Sequence, residues 1–238
     1  MSSPYELNLA PFDAHARLLQ FVGAGKTVLD VGCASGYLAH HLAAQGCVVV
    51  GVEPDPAAAA QARAHCHEVV CSRVENLEAV YPPSGRFDVV LLGDVLEHLE
   101  NPASVLALLQ KYLTAGGCFV ISVPNVANYG VRLELLRGRF RYADCGVLDR
   151  HHLRFFTLDT LRELLESAEL EIETLEVTPG LFCWRPYHLT VERLMGRFRF
   201  YRRWEYLLSR WFKRLFAFQF IVRAVPRQRM CAGGDHGP

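Results

Sequence analysis

Residues 28–39, VLDVGCASGYLA, set Asp30, Gly32 and Gly36 between an apolar run and a helical pattern. Gly32 lets the backbone turn sharply and approach a ligand with no Cβ in the way. The helix that starts near Ser35 offers unpaired N–H groups to a carboxylate. Asp30 can meet an ammonium at the same place, so the turn suits an amino-acid zwitterion. Glu53 ends the next apolar run, twenty-one residues after Gly32, where an acid in such folds accepts hydrogen bonds from two ribose hydroxyls. The ligand these residues predict is a nucleoside joined to an amino acid. A dinucleotide would need G-x-G-x-x-G; here the order is Asp-x-Gly-x-x-x-Gly with alanine at 34, which leaves no second glycine for a pyrophosphate.

Two further clusters carry titratable groups. In DVLEHLENP, Asp94, Glu97 and His98 stand at i, i+3 and i+4, a spacing that projects all three from one face of a helical turn. Two carboxylates and an imidazole suit Mg²⁺, Mn²⁺ or Zn²⁺. Glu97 and His98 serve equally well as hydrogen-bonding groups that hold loops at a pocket mouth, and the expectation carried forward is a site without metal. The second cluster is DRHHLRFFT, where His151 or His152 can accept a proton near neutrality. Asp149, Arg150 and Arg154 of the same stretch also suit an ion-paired scaffold.

These residues need elements to hold them. Short apolar runs at 27–31, 47–52, 68–71, 87–92 and 118–123 read as strands, and helical spacing fills 36–45, 56–66 and the stretch from the Asn101-Pro102 cap to about Thr114, with Gly116-Gly117 as its stop. Continuous Val, Ile and Leu strands separated by helices imply a parallel sheet covered on both faces, hence a doubly wound α/β fold. After Pro124 comes a long polar and aromatic stretch, 125–156, then a helix at 158–168 and a strand at 170–177. Residues 181–213 read as two basic-aromatic helices, followed by an apolar strand at about 216–225 and a disordered tail at 230–238.

The motif series resembles the class I S-adenosylmethionine-dependent methyltransferases: VLDVGCASG, GVEPD at 51–55, FDVVLLGDVLEHLENP at 87–102 and GG-CFVISVPN, covering about residues 26–178. The resemblance implies a seven-stranded Rossmann-like sheet with its last strand antiparallel, and S-adenosylmethionine as cofactor. It places Asp30 and Gly32 at the methionine moiety, Glu53 at the ribose, and Asp94 between cofactor and substrate. Where many relatives carry an acid beside the adenine, this chain has Arg73; Glu75 replaces that acid, or the Val74 backbone and apolar packing hold the base. The acid-x-x-Glu-His pattern is similar to that of ubiquinone-pathway O-methyltransferases, in which a divalent metal is associated with these residues. DRHHLRFFT resembles a subgroup of bacterial methyltransferases acting on small molecules, natural products and cell-surface glycans, with His152 matching the subgroup's histidine. The expected acceptor contacts are Asn125, Tyr129, Tyr142 and Arg154, and the expected base is His152, with His151 as the alternative. The reaction implied is methyl transfer to a small molecule, with oxygen preferred; an N-methyltransferase and a non-catalytic cofactor-binding scaffold or regulator are the alternatives.

Composition narrows the partners. The chain has 238 residues, 25 Lys and Arg against 25 Asp and Glu, and 51% hydrophobic residues, which fits one domain over 1–229 with a sizeable core. The charge is uneven: residues 1–184 carry net −9 and residues 185–229 net +10. The basic-aromatic insertion, 181–213, is open to three roles: a lid over the acceptor, a homodimer face, or, over 185–214, contact with a membrane surface or a lipid-linked substrate. No RNA-binding module accompanies it, so nucleic acid is not an expected partner. Eight cysteines without a zinc-type spacing, no secretory leader pattern and no 18-residue apolar window give a reducing, cytoplasmic setting as the expectation.

Overall fold

A computed structural model describes residues 9–227 except 11, 84 and 181–198. The first of the two expected basic-aromatic helices and the expected disordered tail lie outside the described residues.

Seven strands form one sheet: β1 (Thr27–Val31), β2 (Val48–Val52), β3 (Glu68–Val70), β4 (Phe87–Gly93), β5 (Leu113–Pro124), β6 (Leu170–Pro179) and β7 (Ala217–Pro226). Their order is β3-β2-β1-β4-β5-β7-β6, and β7 runs antiparallel to both of its neighbours. The helices are α1 (Ala14–Val22), α2 (Tyr37–Ala44), α3 (Pro56–Ala62), α4 (Leu77–Val80), α5 (Pro102–Gln110), α6 (Tyr129–Leu136), α7 (Leu158–Ser167), α8 (Arg199–Trp211) and α9 (Lys213–Phe216). Alternate residues of each strand feed opposite cores. Leu29, Val31, Val90 and Leu92 join Leu106 of α5 and Leu161 of α7 on one face, while Val28, Val89 and Leu91 meet Leu18 of α1 and Leu42 of α2 on the other.

The Asn101 side chain accepts from the Ser104 N–H and Pro102 occupies the first turn of α5, the cap its sequence predicts. That helix stops at Gln110, short of the expected Thr114. Gly116 and Gly117 lie inside β5, where a register shift between Phe87 and Val89 absorbs them. A Cβ at Gly117 would lie 2.9 Å from the Phe87 carbonyl oxygen, so glycine here permits strand approach and does not stop a helix. The stretch 125–156 is also less irregular than expected. Asn128 caps α6 by accepting the Gly130 N–H at 2.9 Å, and its amide donates to the Gly180 and Ala217 carbonyls.

The basic segment answers the acidic remainder of the chain. Arg202 pairs with Asp13 at 3.0 Å, and Arg214 and Arg223 pair with Asp159 and Glu173. The helix α8 packs on β6. Its Tyr206 is buried, stacks on Phe12 at 4.3 Å and donates to Glu176 at 2.6 Å.

Candidate active site

Parallel register sets the ends of β1 and β2 side by side, Asp30 opposite Gly51 and Val31 opposite Val52. Asp30 is 2% exposed and its Oδ2 has no hydrogen-bond partner among the described residues. Burial, then the nearby Glu53 charge, push its carboxyl up to about 7. Gly32 has φ +72°, and a Cβ there would lie 2.8 Å from Val95 Cγ2. The N–H groups of Gly32 and Cys33 both reach the Val52 carbonyl, at 2.8 and 3.2 Å. Gly36 caps α2 at φ +80° against Ala62, which leaves no room for a side chain.

Buried Glu53 accepts the Ala34 N–H and the Asp55 N–H, both at 2.9 Å. A carboxylate has about four lone-pair sites, so capacity for two hydroxyl donors remains. The same bond holds Ala34 at φ +48°, a left-handed conformation costly for any residue but glycine. Beside it opens a cavity of about 320 Å³ lined by Gly32, Glu53, Val74, Glu75, Asp94 and His98, among others. Val74 is buried at the start of a 3-10 turn, and Glu75 pairs with Arg73 at 3.2 Å. An orphan carboxylate oxygen, a glycine at the start of the turn and a half-committed acid next to a cavity fit an ammonium and a ribose, as S-adenosylmethionine presents them.

The cluster expected from Asp94, Glu97 and His98 is rearranged. Asp94, at φ +54°, spends its carboxylate on the fold. Ser122 Oγ donates to its Oδ1 at 2.7 Å and Gln219 Nε2 to its Oδ2 at 2.8 Å. Burial holds that carboxyl above its usual range, against those two bonds. The group that converges is Glu97, His98 and His152, whose ligating atoms all lie within 4.8 Å of one another. Helical spacing fails as a guide here because only Leu96–His98 form a turn, of 3-10 type, and Asp94 precedes it.

The convergence is built by backbone bonds. The Glu97 carbonyl accepts the N–H groups of Leu153 and Arg154 at 2.8 and 2.9 Å, and the His98 ring Nδ1 lies 3.2 Å from the His151 carbonyl. This fastens the loop carrying His152 onto the turn carrying Glu97. Glu97 is 1% exposed with neither oxygen partnered among the described residues. Burial, then the Asp94 charge, push its carboxyl well above the usual range. His152 is buried, its ring edge-on to His98 at 4.9 Å, with Nδ1 3.3 Å from the Val147 carbonyl. That contact assigns the proton to Nδ1 and leaves a lone pair on Nε2. Burial, then His98, lower its pKa below the ordinary imidazole value, so the ring is neutral at physiological pH.

The other expected residues divide. Tyr142 is exposed and meets Phe140 edge-on at 5.3 Å; Phe140 meets Phe155 at 6.0 Å, and Phe155 meets His152 at 6.1 Å. This aromatic chain ends at the imidazole. Tyr129 packs edge-on to Phe216 at 5.7 Å. Buried Asn125 spends its amide on the Ala217 carbonyl and the Ala127 N–H. Exposed Arg154 donates to the Glu100 carbonyl at 2.6 Å. His151 is exposed, its N–H held by Asp149 at 2.8 Å, and Arg150 pairs with Asp144. Ser122 and Gln219 escaped the sequence reading. Each is a polar residue inside an apolar strand, CFVISV and FAFQFIV, which is the signal that could have found them.

A family model described as a methyltransferase domain matches residues 5–175. The ubiquinone biosynthesis O-methyltransferase of Thiobacillus denitrificans is 39% identical over 160 residues, covering 64% of this chain and 67% of that protein. The enzyme of the same description from Acinetobacter baylyi is 33% identical over 128 residues, 52% of this chain and 51% of its own length. The matches thus span about half to two thirds of these relatives. A crystal structure of an S-adenosylmethionine-dependent methyltransferase from Archaeoglobus fulgidus superposes with a TM-score of 0.60 at 20% identity, covering 88% of this chain and 91% of that one. The chain belongs to the class I S-adenosylmethionine-dependent methyltransferases, and its seven-stranded sheet with an antiparallel last strand is theirs.

Proposed function

We propose that the protein methylates a hydroxyl of a small aromatic acceptor, with His152 as the base. The observation that carries this reading is a buried imidazole whose Nδ1 faces the Val147 carbonyl and whose Nε2 has no hydrogen-bond partner among the described residues, at the end of the Tyr142–Phe140–Phe155 chain and beside His98, which lines the cavity. Bound S-adenosylmethionine supplies a methyl group on an electrophilic sulfonium. Asp30 neutralises the amino-acid ammonium, Glu53 takes the ribose hydroxyls, and Val74 with Glu75 border the base. Tyr142, Phe140 and Phe155 exclude water and stack on the acceptor ring. His152 Nε2 removes the hydroxyl proton as the new O–C bond forms. The names of the two relatives favour oxygen over nitrogen as the site of transfer. Product formation across phenols, carboxylic acids, amines and sugars tests the proposal. Methylated phenols are expected; methylated amines would make it an N-methyltransferase, and no product with intact cofactor binding would make it a scaffold.

The two unpartnered Glu97 oxygens favour a second reading, in which Glu97, His98 and His152 hold a divalent cation that acidifies the hydroxyl. Activity abolished by EDTA and restored by Mg²⁺ selects it over the metal-free base.

The outward face of α8 suits a membrane surface or lipid-linked acceptor. Trp204, Leu207 and Trp211 are exposed beside Arg203 and Arg210, Trp211 at 82%, and no helix among the described residues is long and apolar enough to cross a membrane. Salt-sensitive co-sedimentation with anionic vesicles is expected; concentration-dependent dimers without vesicle binding would assign the face to a second copy. We read residues 1–229 as one domain, supported by the packing of α8 on β6.

A further inference from the structure

Two thiols stand against the cofactor turn, and the reaction above uses neither. Cys33 follows Gly32 and is buried; Cys66, just beyond α3, is half-buried. Both sulfurs crowd Gly51 of β2, where a Cβ would lie 2.6 Å from Cys33 Sγ and 3.1 Å from Cys66 Sγ. The missing side chain is what lets them meet. The interaction between the two sulfurs holds the Cys66 thiol below the ordinary range and, with burial, holds Cys33 above it. Cys66 is the sulfur a peroxide can reach, and the buried Cys33 stands behind it, the arrangement of an attacking and a resolving thiol.

We propose that Cys33 and Cys66 form an oxidative modification site, at which a hydroperoxide closes a disulfide that disables the cofactor turn. The proposal rests on the assignment of that turn to S-adenosylmethionine. The Cys66 thiolate attacks one peroxide oxygen and the O–O bond breaks. The departing alkoxide takes a proton from water, leaving Cys66 as a sulfenic acid. The Cys33 sulfur then attacks the sulfenic sulfur, the S–O bond breaks, and the hydroxyl leaves with the Cys33 proton as water. Two electrons pass from the thiols to the peroxide.

The consequence for binding follows from what Cys33 is tied to. A disulfide brings the sulfurs to about 2.05 Å, closer than two free thiols can stand. Cys33 sits between two left-handed residues, Gly32 at φ +72° and Ala34 at φ +48°. Its own N–H is bound to Val52 and the next N–H to Glu53. A pull on Cys33 towards Cys66 therefore disturbs the methionine-binding turn and the ribose acid together. Coupling is reciprocal, so bound cofactor must also disfavour the disulfide at equilibrium.

The test treats the full-length protein with hydrogen peroxide, maps disulfides by mass spectrometry without reduction, and measures S-adenosylhomocysteine affinity by calorimetry before oxidation, after it, and after dithiothreitol. The expected result is a Cys33–Cys66 bond, an affinity loss of about 10-fold or more that dithiothreitol reverses, a smaller disulfide fraction in a thiol–disulfide redox buffer when S-adenosylhomocysteine is present, and a Cys66→Ser protein whose affinity peroxide leaves unchanged. Peroxide that forms no Cys33–Cys66 bond overturns the proposal. So does a mapped bond with unchanged affinity, or an equal loss in Cys66→Ser. Reduced wild-type protein that does not bind S-adenosylhomocysteine would instead refute the cofactor assignment, which the reduced arm alone decides.

Discussion

The cofactor half and the acceptor half of this site are assembled by different physics. Asp30, Gly32 and Glu53 sit at the ends of adjacent parallel strands, so the ladder that forms the sheet also brings them together. Glu97, His98 and His152 meet because two backbone N–H groups of a distant loop bind the Glu97 carbonyl. Asp94, just after β4, is held by Ser122 of the adjacent β5 and by Gln219, 125 residues away on β7, one strand further across the sheet. Strand order makes one half follow directly from sequence, whereas the other depends on tertiary contacts. The halves should therefore fail separately when altered.

The largest separation is expected at His152. Replacement by Ala should lower kcat by about 100-fold to 10,000-fold, the range for losing a general base, with S-adenosylhomocysteine affinity within a few-fold by calorimetry. An equal loss of cofactor affinity would merge the two halves. Glu53→Ala should act in the opposite sense. Loss of charge-assisted hydrogen bonds should weaken S-adenosylhomocysteine binding by roughly 1 to 3 kcal/mol, about 5-fold to 150-fold.

Asp30 sharpens the contrast through pH. Its folded pKa, about 7, lies above its ordinary value of 3.8. The stability it contributes is complete below pH 3.8 and is lost as pH rises through about 7. The ligand ammonium prefers the ionised form, so affinity should rise with pH up to about 7 and then level, changing by about 10-fold between pH 6 and pH 8. Asp30→Asn should bind more weakly with a flat profile over that interval. The smallest effect is expected at Gln219→Ala, which takes one donor from Asp94 and should cost about 1 kcal/mol of stability, read as a lowered denaturant midpoint.

The same contrast explains what could be read from the residues alone. The strand-turn-helix units and the α5 cap at Asn101 follow from apolar period and turn chemistry, which are local signals, whereas the antiparallel last strand was implied by family likeness alone. The end of α5 at Gln110 and the place of Gly117 inside β5 were hidden, because a glycine that stops a helix and one that admits a neighbouring strand look alike in sequence. The spacing of Asp94, Glu97 and His98 suggested a shared face, but the left-handed Asp94 and a 3-10 turn removed Asp94 from it. Asn125 was an expected acceptor contact, and nothing local says that its amide is spent on Ala217, 92 residues away. The thiol pair was illegible for the same reason, since Cys33 and Cys66 meet only across Gly51.

The central claim, that a loop-borne neutral imidazole takes the acceptor proton, is tested most directly by the pH dependence of kcat for methyl transfer to a phenol, in wild-type protein and His152→Ala. Burial, then His98, lower the His152 pKa from its ordinary 6.5, so the wild-type rate should rise through an acid limb centred below that value. The variant should lose that limb. An acid limb unchanged in His152→Ala, with kcat preserved, would contradict the account.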